Sequence, residues 1–234
     1  MRVSYLDVKA AILGRIRGGA LVPGDTVPGE EALAAEFGCA RVTVHRALRE
    51  LAEAGVVERR RRRGTRVRLP VARDAELVIP SVRAEIEATG AAYRYELLSR
   101  RIAPPPRRVR AALGLAPGSK ALHLRCRHWA GARVHQLEDR WISLATVPAA
   151  AQADFAQTGP NEWLIRAMPL SQVEHALSAA NAGEAEAALL GIAPGDAVFV
   201  IERRTWIEGE AITRARLVHP GATHRLVART APPL

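Results

Sequence analysis

Lysine is almost missing from this chain: of its 34 Lys+Arg cations only Lys9 and Lys120 are lysines. Coding bias explains that ratio as readily as a need for bidentate contacts, so it carries no functional reading by itself. Cysteine is as scarce. Cys39 and Cys126 stand far apart with no C-x-x-C partner, which excludes a disulfide framework and leaves two buried, reduced thiols as the expectation. The seven histidines show neither H-E-x-x-H nor H-x-H spacing, so no metal site is expected. No apolar run approaches the ~18 residues of a membrane span. The start, MRVSYLDVKAAILGRIRGG, reads as an amphipathic helix rather than a signal peptide. Together these absences predict a cytoplasmic protein with no membrane partner.

What is present points to two domains, because 234 residues at 48% hydrophobic content fill one large core or two modest ones. The net charge of +10 is uneven: residues 1–70 hold 14 Lys+Arg against 8 Asp+Glu, and the remainder 20 against 16. The boundary is placed at 70, giving domains 1–70 and 71–234, with a linker near Leu69 to Glu76.

Val8, Ile12 and Ile16 repeat at four-residue steps and predict a first helix, broken by GGALVPGD. A second helix is expected from near Gly29 to near Phe37. Leu33, Phe37, Cys39, Val44 and Ala47 fall where a helix-turn-helix buries side chains, with small Ala34 at the helix approach and Gly38 as the left-handed turn residue. Val44, Leu48 and Leu51 point the third helix inward and leave Arg41, Val42, His45, Arg46 and Arg49 outside. Arg41 suits a guanine edge or a phosphate, Thr43 a phosphate oxygen, and His45 the groove one turn along. A basic hairpin follows, from Val56 and Val57 to Arg66 and Val67, carrying Arg59 to Arg63 with Gly64 at its tip. Arg61, Arg62, Gly64 and Thr65 complete the expected DNA-contacting set, each neutralised phosphate steepening the salt dependence by about one unit.

These residues, from VPGDTVPGEEALAAEFGCARVTVHRALRELAEAGVV through ERRRRRGTRV, resemble the winged helix-turn-helix of the GntR superfamily of bacterial transcription regulators over residues 5–68. The resemblance implies a base-contacting arginine at Arg41, a phosphate-contacting threonine at Thr43 and a wing-tip glycine at Gly64. Glu31 and His45 depart from common family residues, so the operator sequence does not carry over.

In the second half SVRAEIEATG reads as a helix stopped by Gly90, and an internal duplication follows. AALGLAPGSKALHLRCRHW (111–129) aligns without gaps onto ALLGIAPGDAVFVIERRTW (188–206), each copy running through a glycine turn, Gly131 or Gly209, into another alternating strand. Two such units predict one antiparallel sheet, with helices such as 161–168 on a face and a cleft between the halves. Arg125 and Arg127 share one strand face, and Gln136, Glu138 and Arg140 share a face of the next. Arg125, Arg127 and Glu138 together are expected to form a ligand site, an internal ion-pair network being the plainer reading.

This half resembles the UTRA effector domain, itself similar in fold to chorismate lyase, over roughly residues 75–230. VHQLEDRWI, TGPNEWL, PLSQVEHAL, RRTW and LVHPG are similar to its histidine-utilisation repressor branch. An α+β architecture is thereby implied, with an N-terminal winged helix-turn-helix and a C-terminal antiparallel sheet carrying helices. The branch implies a homodimeric repressor of histidine-breakdown genes that leaves double-stranded operator DNA when urocanate binds, with no cofactor. It places the UTRA arginine pair at Arg125 and Arg127 and the strand glutamate at Glu138. Thr158, Glu174, Arg203 and Thr213 are further effector candidates, and His224 stands where a tyrosine is common. The other readings are a regulator answering to another small acid such as a sugar phosphate, a chorismate lyase-like enzyme, and a DNA-binding protein whose second domain only dimerises. No nucleophile or metal constellation supports the enzyme.

Overall fold

The computed structural model describes residues 3–60, 64–69, 81–170 and 172–226. Of the expected linker, Leu69 to Glu76, all but Leu69 lies outside them, as do Arg61 and Arg62 of the wing.

The first helix, α1 (Tyr5–Arg17), starts at a reciprocal cap: Asp7 N–H donates to Ser4 Oγ at 3.3 Å, and Ser4 N–H donates back to Asp7 at 2.8 Å. Its stripe of Val8, Ile12 and Ile16 is fully buried. A short strand β1 (Thr26–Val27) leads to α2 (Glu30–Phe37) and α3 (Arg41–Glu53). Between these two helices Gly38 takes φ +60°, the left-handed turn expected of it. Leu33, Val44, Ala47, Leu48 and Leu51 close the core, while Phe37 and Cys39 pack at its margin. Cys39 is therefore half-buried rather than buried, and Cys126 is buried; both are free thiols. The wing is β2 (Val57–Arg60) and β3 (Gly64–Val67), with β1 added along β3.

Past α4 (Val82–Ala88), whose Ser81 cap accepts from Ala84 N–H, comes a six-stranded antiparallel sheet. Its strands are β4 (Tyr93–Ala103), β5 (Ala121–Ala130), β6 (Arg133–Ile142), β7 (Gln172–Asn181), β8 (Ala197–Ile207) and β9 (Glu210–Pro220), in the order 4-5-6-9-8-7. The helices α5 (Arg107–Ala112), α6 (Pro160–Ala167) and α7 (Glu184–Leu190) complete the unit. The duplication is real and one strand larger than sequence identity indicates: β4-α5-β5-β6 and β7-α7-β8-β9 are the copies, meeting at the β6–β9 pair. Each copy's helix lies on the other's last strand, α7 on β6 through Ala187, Leu190, Val134 and Leu137, and α5 on β9. These helices cover one face; α4, α6 and the 3-10 turn Pro148–Ala151 lie toward the other.

The winged domain packs on that second face. One hydrophobic core runs from Val8 and Leu33 to Leu124, Phe155 and Ile212. Lys9 of α1 bridges Glu50 at 3.4 Å and also pairs with Glu208 in the β8–β9 turn.

Candidate DNA interface and effector cleft

The outer surface of α3 is cationic and organised around one acid. Glu30, at the first position of α2, accepts from Arg41 Nε at 3.2 Å and Arg59 Nη2 at 2.8 Å, and lies 2.8 Å from His45 Nδ1. Burial pushes the Glu30 carboxyl up, but His45 and Arg41 outweigh it and hold it below the usual carboxylate range. Glu31 adds a second contact to Arg41 at 3.2 Å. The α3 N-terminus has neither a side-chain cap nor an acidic residue in its first turn, leaving a positive helix end that suits an anion. Val42, 71% exposed beside Arg41, is an apolar tip suited to a thymine methyl. Arg46 lies over the Tyr5 ring at 3.7 Å and reaches Glu50, and Arg49 is exposed near Glu53. Thr43 and Thr65 are half-buried, and Gly64 takes φ +76° at the wing tip.

The second site is inside the sheet. Register puts Cys126 opposite Glu138, Glu138 opposite Leu217, Leu217 opposite Ile201, and Ala215 opposite Arg203. Residues directly opposite share a face, so Glu138, Arg140 and Arg203 lie together on the face bearing α4 and α6. Arg125 and Arg127, one residue off that parity, point to the other face. The expected grouping of Arg125, Arg127 and Glu138 is therefore corrected: the arginines are satisfied elsewhere. Arg127 forks onto Glu96 at 2.8 and 3.1 Å, and Arg125 lies 3.7 Å from Asp139. Glu174 is likewise on the outer side, bonded by Arg204 Nε at 2.9 Å.

Glu138 is fully buried. It meets His128 Nε2 at 3.0 Å and takes an ion pair from Arg140, while Tyr93 Oη lies 2.9 Å from His128 Nδ1. Burial alone would raise the Glu138 carboxyl; the Arg140 charge and His128 overcome it and hold it at about 2. Thr213, a further effector candidate, is buried beneath: it donates to Trp141 O at 2.8 Å and lies 3.4 Å from Arg140 Nη1. Arg140 Nη2 has no partner although it is buried. Beside it Arg203 donates to Asn161 Oδ1 at 2.7 Å and to His175 Nε2 at 2.9 Å. Burial, then the neighbouring Arg140 charge, lowers the Arg203 guanidinium to about 10. At this end of the cleft two buried guanidiniums face the single carboxylate of Glu138.

That cleft, a narrow one of about 20 Å³ beneath an open mouth, is lined by Arg140, Arg203, Glu138, Gln136 and Asn161, with Glu85, His219 and His224 toward one end. His224 lines this end of the cleft, stacked on His219 at 3.8 Å. Thr158 is half-buried next to Gly159, outside the lining. An adjoining, roomier cleft of about 180 Å³ between α4 and α6 contains Tyr93, His128 and Asn161 but neither Arg140 nor Arg203. Sequence reasoning put Gln136 and Arg140 on one face with Glu138 but missed Asn161, Glu85 and His219; the motifs TGPNEWL and LVHPG held two of them.

Two family models match the chain: bacterial regulatory proteins of the gntR family over residues 4–67, and the UTRA domain over 88–225. The histidine utilization repressor of Pseudomonas aeruginosa is 36% identical over 227 residues, covering 96% of this chain and 90% of that protein. Its counterpart in Klebsiella aerogenes is 35% identical, covering 96% and 93%. Among solved structures, the C-terminal domain of the histidine utilization repressor from Pseudomonas syringae pv. tomato superimposes with a TM-score of 0.57 at 29% identity, covering 60% of this chain and all of that one. PhnF from Mycobacterium smegmatis gives 0.59 at 25%, covering 96% and 99%. With a cationic α3 beside a wing and a sheet carrying a charged cleft, the chain belongs to the gntR family of regulators with a UTRA domain, in its histidine utilization repressor group.

Proposed function

We propose that this regulator represses histidine-utilisation genes in the cytoplasm, holding operator DNA as a homodimer and releasing it when urocanate enters the UTRA cleft. Repression of that pathway is the role named for relatives at 33–36% identity, and the family is one of regulators rather than enzymes. The effector assignment rests on one observation above all: Arg140 Nη2 is buried without a partner beside the buried Arg203. A small carboxylate forked between these guanidiniums satisfies both. Urocanate is flat, with a carboxylate at one end and an imidazole at the other. With the acid on Arg140 and Arg203, its ring runs toward Gln136 and Glu138, whose carboxylate keeps lone pairs beyond those used by His128 and Arg140. Release requires only that the ligand favour the arrangement unable to hold DNA, a coupling of ~1–3 kcal/mol being sufficient.

The test is a gel shift of the full-length protein on DNA upstream of its own gene, with urocanate and, separately, a sugar phosphate. Urocanate alone should release the DNA. Arg203→Gln should bind the operator but need roughly 10–100-fold more urocanate, the loss of a charged hydrogen bond of ~1.5–3 kcal/mol. Release by the sugar phosphate alone, or an unaltered urocanate response in Arg203→Gln, would overturn the assignment.

A further inference from the structure

Three imidazoles converge at the end of the cleft away from Arg203: His135 on β6, His219 on β9 and His224 just beyond it. One nitrogen from each lies within 4.8 Å of the others. His219 is 1% exposed, and neither its ring nitrogens nor His224 Nε2 meet a partner in hydrogen-bond geometry. Burying such atoms unsatisfied costs stability that an apolar pair in the same place would not forfeit. The backbone is also bent to assemble the group. His128 pairs with Gln136 and Trp129 with Val134, so His135 is the extra residue of a bulge on β6, and bulges re-aim side chains. The result sets the His135 ring edge-on to His219 at 5.2 Å and to His224 at 5.7 Å. Behind them Glu85 of α4 bonds His135 Nε2 at 3.1 Å and lies 3.3 Å from His224 Nδ1.

We propose that His135, His219 and His224 bind a divalent transition ion, Zn²⁺ foremost, with Glu85 as the positioning carboxylate behind the ligands. Imidazole nitrogens suit Zn²⁺ and its neighbours, and three histidines leave a fourth position open to the cleft. Nitrogens around a tetrahedral zinc at ~2.0–2.1 Å stand about 3.3 Å apart, so the rings close by no more than about 1.5 Å. A carboxylate bonded to a ligating histidine fixes its tautomer and orientation, the role Glu85 takes here. The three ligands lie 84 residues and then 5 residues apart in the chain, which is why no spacing motif announces them. The site is independent of the effector's identity.

The experiment uses full-length protein stripped with a chelator, then titrated with ZnCl₂ in competition with a chromogenic chelator, without effector; Co²⁺ absorption reports the coordination geometry. One equivalent per chain should bind, with a tetrahedral or five-coordinate Co²⁺ spectrum. His219→Asn and His135→Gln should each weaken binding by roughly a hundredfold or more, and Glu85→Gln by roughly 10–100-fold. Circular dichroism checks the fold of each variant; if His219→Asn does not fold, the half-buried His135→Gln decides. Absence of stoichiometric binding by the folded native chain, or binding unchanged in His135→Gln, would sink the site, the latter placing the ion elsewhere, for instance near Cys39.

Discussion

Glu138 bears directly on stability, because it is fully buried with Arg140 and His128 leaning on it. Replacing it with Gln leaves the Arg140 charge uncompensated, and removal of one partner from a buried pair costs about 3–5 kcal/mol. Urea unfolding at neutral pH should register a loss of that order. Its carboxyl is held at about 2 against an ordinary 4.5, a depressed value, so its contribution is fully present above about 4.5 and is lost as pH falls through about 2. The native protein should therefore lose stability across that acidic window more steeply than Glu138→Gln does. A variant whose acid limb matches the native one would show that the carboxylate contributes nothing there.

At the scale of elements, the proposed function has α3 and the wing divide the work of DNA recognition. On the proposed reading Arg41 at the helix start is the base-edge contact and Arg59 on β2 a contact to the DNA backbone. Arg41→Ala should weaken the operator complex by ~1–3 kcal/mol and relax sequence preference, whereas Arg59→Ala should weaken all DNA alike and lower the salt slope by about one. Binding isotherms on operator and random duplex at several salt concentrations separate the two outcomes. The winged unit was legible in the sequence because its signals are local: the four-step stripe of α1, the turn at Gly38 and the cationic hairpin all act within a few residues. The sheet was legible as a duplication, through 111–129 and 188–206. Its pocket was not. Which face Arg127 or Glu138 occupies depends on the pairing register of β5 with β6, and one residue of parity sends a side chain to the opposite side. The bulge at His135 and the burial of Thr213 arise the same way, from cross-strand partners that no linear pattern exposes.

For the whole molecule, the winged domain rests against the effector sheet through a continuous core and through Lys9, which links Glu50 of α3's last turns to Glu208 of the β8–β9 turn. In a two-fold dimer the paired recognition helices would read inverted half-sites about 10–10.5 base pairs apart, or a multiple of that. Footprinting with half-sites moved apart by five base pairs should abolish tight binding while ten restores it; indifference to the insertion would mean that the protomers do not act as a rigid pair. The effector half has its own unity. Since α7 roofs a strand of the first copy and α5 a strand of the second, neither repeat can be peeled off without stripping its sibling bare. The domain should consequently melt in one step, and strain imposed by a ligand on either repeat is shared at once, with no hinge between them to absorb it.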